Sequence, residues 1–379
     1  MARFGVYVHV PFCARRCDYC DFATWTDRHH LMEAYAAACV TDLRRRGEAA
    51  PLPEATSVFF GGGTPSLLPA ELLVGILAAV PRRPDAEVTV ECNPDTVTPE
   101  TLAAYRAGGV NRLSFGVQSM APHVLAALGR THDPAGVERA VAAARAAGFD
   151  NFNLDLIYGA AGETAADWRA TLDAALALDP PHVSAYALTV EPGTPLARRI
   201  GAGAVAPPDD DDQAEKYLTA DTVLTAAGRP WYEISNWARP GRECRHNVLY
   251  WEQGEYLGIG CAAHGHTPAG RRWWNVRTPD RYIDLIGAGA PAEAGSEVLD
   301  GPARAQEAAM LALRTRSGVP SGPGTDAARL SADGLATEDA GRVVLTPAGR
   351  LLANEATARL LEAYESRLIR PVSGPPACR

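Results

Sequence analysis

Six short runs rich in β-branched and aromatic residues punctuate the first half of the chain: "GVYVHV" from Gly5, "SVFFGGGT" from Ser57, "EVTVECNP" from Glu87, "RLSFGVQS" from Arg112, "NFNLDLIYG" from Asn151 and "HVSAYALTVEP" from His182. Between them lie Ala- and Leu-rich segments with helical apolar spacing, at 31–46, 70–80, 99–107, 134–147 and 165–178. This alternation constrains the fold more than any other feature. Successive strands joined through helices run parallel by right-handed crossovers, and the helices cover the sheet. Six such units are fewer than the eight that close a barrel, so the expected fold is α/β, a partial open (β/α)6 barrel.

The polar and glycine residues fall after the strands. Cys13, Gly61-Gly62-Gly63-Thr64, Glu91 with Asn93, Gln118 with Ser119, Asp155 and Glu191 all lie at or just past successive strand ends, the rim on which α/β barrels place their chemistry. The grammar then changes. Pro207-Pro208 and four aspartates read as a connector and a solvated loop or helix start, and a helix at 213–227 with the strand "WYEIS" completes a first domain, 1–235. Residues 236–300 read as a connecting segment, and five of the seven tryptophans (Trp231, Trp237, Trp251, Trp273 and Trp274) cluster in and just before it. The last module, 301–379, offers a helix, a Gly- and Pro-rich loop, a hairpin "LATEDAGRVVLT" and a helix near Pro347, an α+β order that fits a small winged-helix-like unit.

Charge narrows the function. The formal net charge of -9 over 379 residues leaves no basic excess to neutralise phosphates, which argues against a general nucleic-acid or anionic-membrane surface. Arg44-Arg45-Arg46 reads as the end of a solvated helix, and Lys216 is the only lysine. No apolar run reaches the length of a membrane span, and the first residues lead into a β-like stretch instead of an export signal, so the expected location is cytoplasmic. In a long cytosolic chain, eight cysteines favour metal binding over a disulfide framework.

Three of them are close together in "HVPFCARRCDYCDF", spaced C-x3-C-x2-C at Cys13, Cys17 and Cys20. Three thiolates leave a zinc site incomplete unless His9 or a remote cysteine completes it. A cubane of four irons takes one thiolate per iron, so three cysteines leave one iron open to an external amine and carboxylate. Cys39 reads as core, Cys92 as packing near the site, and Cys378 falls in a Pro-rich tail expected to be disordered.

This spacing after a first strand, with Tyr19 just before the third cysteine, resembles the radical S-adenosylmethionine (SAM) superfamily, whose second motif matches Gly61-Gly62-Gly63-Thr64-Pro65. Glycines there let backbone N–H groups approach the methionyl amine and carboxylate. Within the superfamily, the chain resembles the branch of oxygen-independent coproporphyrinogen III dehydrogenase (HemN) and the HemW-type heme chaperones. The resemblance implies a [4Fe-4S] cluster on the three cysteines and SAM contacts at Tyr7, Gly62, Gly63, Thr64, Glu91, Gln118, Arg130 and Asp155.

Two activities follow from it. The dehydrogenase subgroup carries a further cysteine where this chain has Phe22, and an N-terminal extension where only six residues precede Tyr7; "CRHNVLYW" resembles the H-N-x-x-Y-W motif of the chaperones. The chaperone reading implies heme, with Cys244, His246, Tyr250 and Trp251 as candidate contacts and His264 and His266 as further candidates, delivered to acceptor proteins such as respiratory-chain hemoproteins. It would permit a cluster-dependent homodimer. The alternative is an enzyme that uses a SAM-derived radical on coproporphyrinogen III, or a related methyltransferase. His246 is equally suited to bonding a buried turn, and Cys261 in "GIGCAAHGH" has no evident role.

Overall fold

The computed structural model describes residues 3–321 and 327–368; Cys378 lies outside them. All six expected strands form: β1 (Phe4–Val10), β2 (Ala55–Gly62), β3 (Arg82–Cys92), β4 (Arg112–Gln118), β5 (Phe152–Tyr158) and β6 (His182–Ala187). They pair in chain order and all in parallel. The crossovers carry α1 (Met32–Ala49), α2 (Ala70–Ala78), α3 (Pro99–Gly108), α4 (Pro122–Ala127), α5 (Pro134–Ala146) and α6 (Ala165–Ala177). After β6 come α7 (Pro195–Gly201) and α8 (Asp210–Ala226).

Helix starts are encoded locally. At Thr98-Pro99, Asp133-Pro134 and Thr194-Pro195 the first residue accepts a hydrogen bond from a backbone N–H of the first turn while proline occupies the first helical position. Proline loses nothing there, because that N–H has no intrahelical partner. Thr164 and Asp167 form a reciprocal capping box on α6. Val6, Val8 and Val10 join the main core with Tyr35, Cys39 and Leu43 of α1, which gives Cys39 the buried place its helix implied.

The sheet is open and longer than the sequence suggests. A short strand β7 (Trp231–Glu233) precedes β8 (Asn236–Ala238), which pairs antiparallel with β6. At the opposite end β9 (Glu255–Ile259) runs parallel beside β1, followed by antiparallel β10 (His264–His266), β11 (Arg271–Asn275) and β12 (Glu293–Val298). Helices α9 (Arg245–Trp251) and α10 (Pro279–Gly287) lie in the same stretch. The region read as a connector therefore contributes strands to the sheet, and Ser235–Val298 forms one compact unit with the barrel. Strands such as "HGH", "RRWWN" and "EAGSEV" lack the β-branched alternation that would reveal them; partner strands hold them in place.

The second compact unit comprises Tyr232–Ile234 and the chain from Leu299 onward. It holds α11 (Gly301–Leu313), β13 (Val319–Pro320), α12 (Ala327–Ala332), β14 (Ala336–Asp339), β15 (Arg342–Leu345), α13 (Pro347–Leu351) and α14 (Ala353–Leu368). Its antiparallel sheet has the order β13-β15-β14. The expected hairpin turns at Ala340 (φ 47°) and Gly341 (φ 74°), the paired positive values a two-residue turn requires.

The aspartate run is a helix start. Asp209 accepts from the Asp212 N–H, and Lys216, 2% exposed, places Nζ 2.6 Å from Asp212 Oδ2 and 3.3 Å from Glu163 Oε2. Its Nζ also donates to the Glu163 carbonyl at 2.9 Å. Removing one member of a buried pair leaves the other charge desolvated. Lys216→Met should therefore destabilise the protein by about 3–5 kcal/mol in urea denaturation, and an unchanged midpoint would contradict this role.

Candidate functional site

The parallel register of β1 and β2, from Gly5↔Ser57 to Val10↔Gly62, continues past both strands. The Gly63 N–H donates to the Val10 carbonyl and the Thr64 N–H to the Phe12 carbonyl, both at 2.8 Å. The glycine motif is thereby fastened along the start of the cysteine loop. A Cβ on Gly63 would lie 2.7 Å from the Phe12 oxygen and 3.1 Å from Cys13 Sγ, so only glycine fits. Gly62, at φ 115°, leaves the same kind of space for the His9 ring, 2.4 Å from where its Cβ would stand.

The loop itself is pinned at several points. Cys13 N–H donates to the Trp25 carbonyl (3.1 Å) and Trp25 N–H to the Pro11 carbonyl (2.8 Å). His29 Nε2 donates to the Cys13 carbonyl at 2.9 Å. Since the Ala23 carbonyl can only accept, His9 donates to it through Nε2 (2.9 Å) and accepts from the Tyr7 hydroxyl through Nδ1 (3.1 Å). Cys13 is buried, and Cys17 and Cys20 are half-buried.

All three cysteines open into one cavity of about 430 Å³, which Gly62, Gly63, Thr64, Glu91, Gln118, Arg130 and Asp155 also line. The structure thus brings together every SAM-contact residue expected from the sequence except Tyr7. Tyr7 lines a neighbouring chamber of about 240 Å³ that shares Glu91, Ser114, Asp155 and Tyr186 with the first. Gln118 sits at φ 64° beside an irregularity in the β4–β5 register, a conformation rare outside glycine. Phe22 lines the cavity and is 60% exposed.

The donors suit the implied groups. Arg130 donates to Asn93 Oδ1 and the Gly116 carbonyl, both 2.8 Å, and reaches Cys17 Sγ at 3.5 Å. Its Nε is buried without a hydrogen-bond partner, so this end of the guanidinium keeps a donor to offer. Among the described residues no three His, Cys, Asp or Glu side chains converge tightly enough to share a single ion. A cubane binds one thiolate per iron, so its cysteines surround a volume instead of a point. Cys13, Cys17 and Cys20 could hold such a cluster, with Arg130, Glu91 and the Gly62–Gly63 backbone facing the ligand beside it.

Burial raises both carboxyls of the site. The Glu91 carboxyl, which accepts from the Gly62 N–H at 3.1 Å, is pushed up to about 8 by burial and then by Asp155. Asp155 is raised by burial too, against hydrogen bonds from Ser114 (2.8 Å) and Asn153 (2.7 Å). Ser114, Asn153 and Ser184, which join this network, were not singled out from the sequence. The signal was present as polar side chains at paired positions of otherwise apolar strands, Ser114↔Asn153 and Asp155↔Ser184.

The H-N-x-x-Y-W residues lie elsewhere in the barrel, on α9. His246 is 0% exposed, with Nδ1 2.9 Å from Ser57 Oγ and Nε2 2.8 Å from the Tyr250 hydroxyl. Burial lowers its imidazole to about 3, so the ring is neutral. Cys244 is fully buried 3.6 Å from Glu87 Oε1, Tyr250 and Trp251 are half-buried, and Asn247 and Tyr250 line the smaller chamber. His266 is buried and donates to the Gly254 carbonyl, whereas His264 is exposed. Cys261 packs in the core, its N–H donating to the Tyr35 hydroxyl at 2.9 Å.

Comparison with known proteins gives the family and the fold. The radical SAM superfamily model matches residues 7–175. The chain is 44% identical over 370 residues to the heme chaperone HemW of Mycobacterium tuberculosis, covering 94% of this chain and 95% of that one. It is 41% identical to HemW of Escherichia coli K12, over 74% and 75% of the two chains, and 34% identical to HemW of Bacillus subtilis, over 93% and 97%. The solved coproporphyrinogen III oxidase HemN of Escherichia coli superposes with a TM-score of 0.82 at 23% identity, covering 95% of this chain and 90% of that one.

The Glu91 carboxyl ionises near 4.5 when unfolded and near 8 when folded, so the folded state retains the proton between those values. Its contribution to stability is greatest below the lower value and declines as pH rises to the upper one. Glu91→Gln should remove that decline, raising ligand-free stability at pH 8 by on the order of a few kcal/mol. The same change should weaken SAM binding roughly tenfold or more. Thermal melts across pH and isothermal titration check both halves, and equal pH profiles for the two proteins would contradict the assignment.

Proposed function

The chain belongs to the HemW family of heme chaperones within the radical SAM superfamily, and from that membership we propose that it binds heme and passes it to acceptor hemoproteins. In this reading Cys13, Cys17 and Cys20 hold a [4Fe-4S] cluster. When bound, that cluster supplies an open iron position and an electron at the cavity wall. Respiratory-chain hemoproteins are the class of acceptor proposed. No helix among the described residues is long and apolar enough to cross a membrane.

The protein's own residues do the positioning. Gly62 and Gly63 present bare backbone to the cavity, against which a methionyl group would lie, and Arg130 on the same wall would pair with its carboxylate. Glu91, protonated in the ligand-free protein near neutral pH, loses its proton as an ammonium group arrives and then accepts from it. Asp155, steadied by Ser114 and Asn153, would accept ribose hydroxyls. Phe12, fully buried, and Trp25, half-buried and paired to it across the loop, limit water behind Cys13.

The observation that carries the chaperone reading over porphyrinogen oxidation is Phe22. Its exposed ring stands at the cavity where the dehydrogenase-like pattern has a further cysteine. The similarity to HemN argues for a shared fold and leaves the activity to this site.

Anaerobic reconstitution tests the proposal. The loaded protein should take up about one heme per chain in a Soret titration and leave coproporphyrinogen III unconsumed. Cys13→Ser, Cys17→Ser or Cys20→Ser should each lose the cluster's visible absorbance. Robust decarboxylation without stoichiometric heme would overturn the reading.

A further inference from the structure

The buried side of α9 packs against Gly5 and Tyr7 of β1 and Phe59 of β2. Gly5 makes this possible, since a Cβ there would meet Leu249 at 2.6 Å and the His246 ring at 3.1 Å. The His246 ring stacks on Phe59 (centroids 5.4 Å apart, planes 26°) and on Tyr7 (6.5 Å, 30°), and those two rings are themselves stacked at 6.3 Å. Tyr7 then donates to His9, and His9 donates to the Ala23 carbonyl, three residues after Cys20. A continuous path of stacked rings and hydrogen bonds therefore joins the H-N-x-x-Y-W helix to the cysteine loop. The vacant side-chain position of Gly61 adjoins the same path, 2.9 Å from Phe59, 3.1 Å from Tyr7 and 3.2 Å from Glu91 Oε2.

An axial heme ligand needs a free ring nitrogen and a route to the iron. His246 has neither in this arrangement: both nitrogens are within hydrogen-bond distance of partners and the residue is 0% exposed. We propose that His246 is a positioning residue for the SAM site and the cysteine loop, acting through Tyr7, Phe59 and His9, and that heme is held by other groups. The inference rests on the SAM-binding part of the reading above and is independent of whether heme binds.

The N–H of His246 donates to Glu87 Oε1 at 3.3 Å, which fixes the start of α9. Ser57 and Tyr250 fix the ring plane, and Tyr7 and Phe59 pack against it. Loss of the ring would leave Tyr7 free to tilt, opening the wall beside Glu91 and releasing the His9–Ala23 bond. The site would lose SAM affinity before the fold unravels, because the outer core of β1 is built from Val6, Val8 and Val10 on the other side of the strand.

In the reconstituted protein, His246→Ala should raise the SAM dissociation constant about five- to thirtyfold. Heme affinity and the Soret position should stay within about twofold of wild type. His246→Gln, which keeps a polar partner for Ser57 or Tyr250, should recover part of the SAM loss. Ser57→Ala and Tyr250→Phe, each removing one bond, should move SAM affinity in the same direction by a smaller factor, and they carry the test if His246→Ala fails to fold. Loss of heme with SAM affinity unchanged, equal loss of both, or no change in SAM affinity across the set overturns the inference. Failure of the wild-type protein to bind heme would instead sink the chaperone reading, with the SAM titrations still deciding the role of His246.

Discussion

The pairing of β1 with β2 is the constraint on which the site depends. Its register places Val10 opposite Gly62, so the two chains leave the sheet side by side and can bond again as loops, Gly63 to Val10 and Thr64 to Phe12. The cysteine loop and the glycine motif are 51 positions apart at Cys13 and Thr64, yet Thr64 Oγ1 lies 3.6 Å from Cys13 Sγ. A one-residue slip would turn Tyr7 and His9 outward and the valines inward, because side chains alternate across a strand. Site and core are therefore specified by the same backbone contacts.

Burial sets the protonation of the ligand-free site. His9 is lowered to about 4 and Glu91 raised to about 8, each mainly by desolvation, so neither carries charge near neutral pH. Arg130 remains as the fixed cation among groups that bond to it and to each other. Such a cavity stores little unscreened charge, which suits the zwitterionic ligand proposed for it, whose carboxylate would meet the Arg130 guanidinium and whose ammonium would meet Glu91. The hydrogen bonds that would otherwise have to reorganise are already made to Gly62, Asn93 and Gly116.

Much of this was legible in the sequence where local rules act alone. Parallel strands announce themselves as apolar runs, and threonine or aspartate before proline marks where α3, α5 and α7 begin. The cysteine spacing and the glycines after β2 located one side of the cavity, and Glu91, Gln118, Arg130 and Asp155 supplied the rest. What escaped depended on pairing. Strands β9 to β12 are short and contain His, Arg, Gly and Glu, so their strand character comes from neighbours. Cys261 reaches the core beside Tyr35 by tertiary placement that spacing does not encode. The orientation of α9 was hidden for the same reason: the motif letters are unchanged whether His246 faces a heme or the back of Tyr7.

The most direct check examines the iron that three cysteines leave open. SAM labelled with 17O in its carboxylate and 15N in its amine, added to the anaerobically reduced cluster, should give hyperfine couplings to both nuclei in pulsed electron paramagnetic resonance. Arg130→Ala should weaken binding of the labelled ligand while the free cluster's signal persists. A reduced cluster whose spectrum shows neither coupling at saturating SAM would contradict the arrangement of thiolates, glycines and Arg130 around a shared ligand.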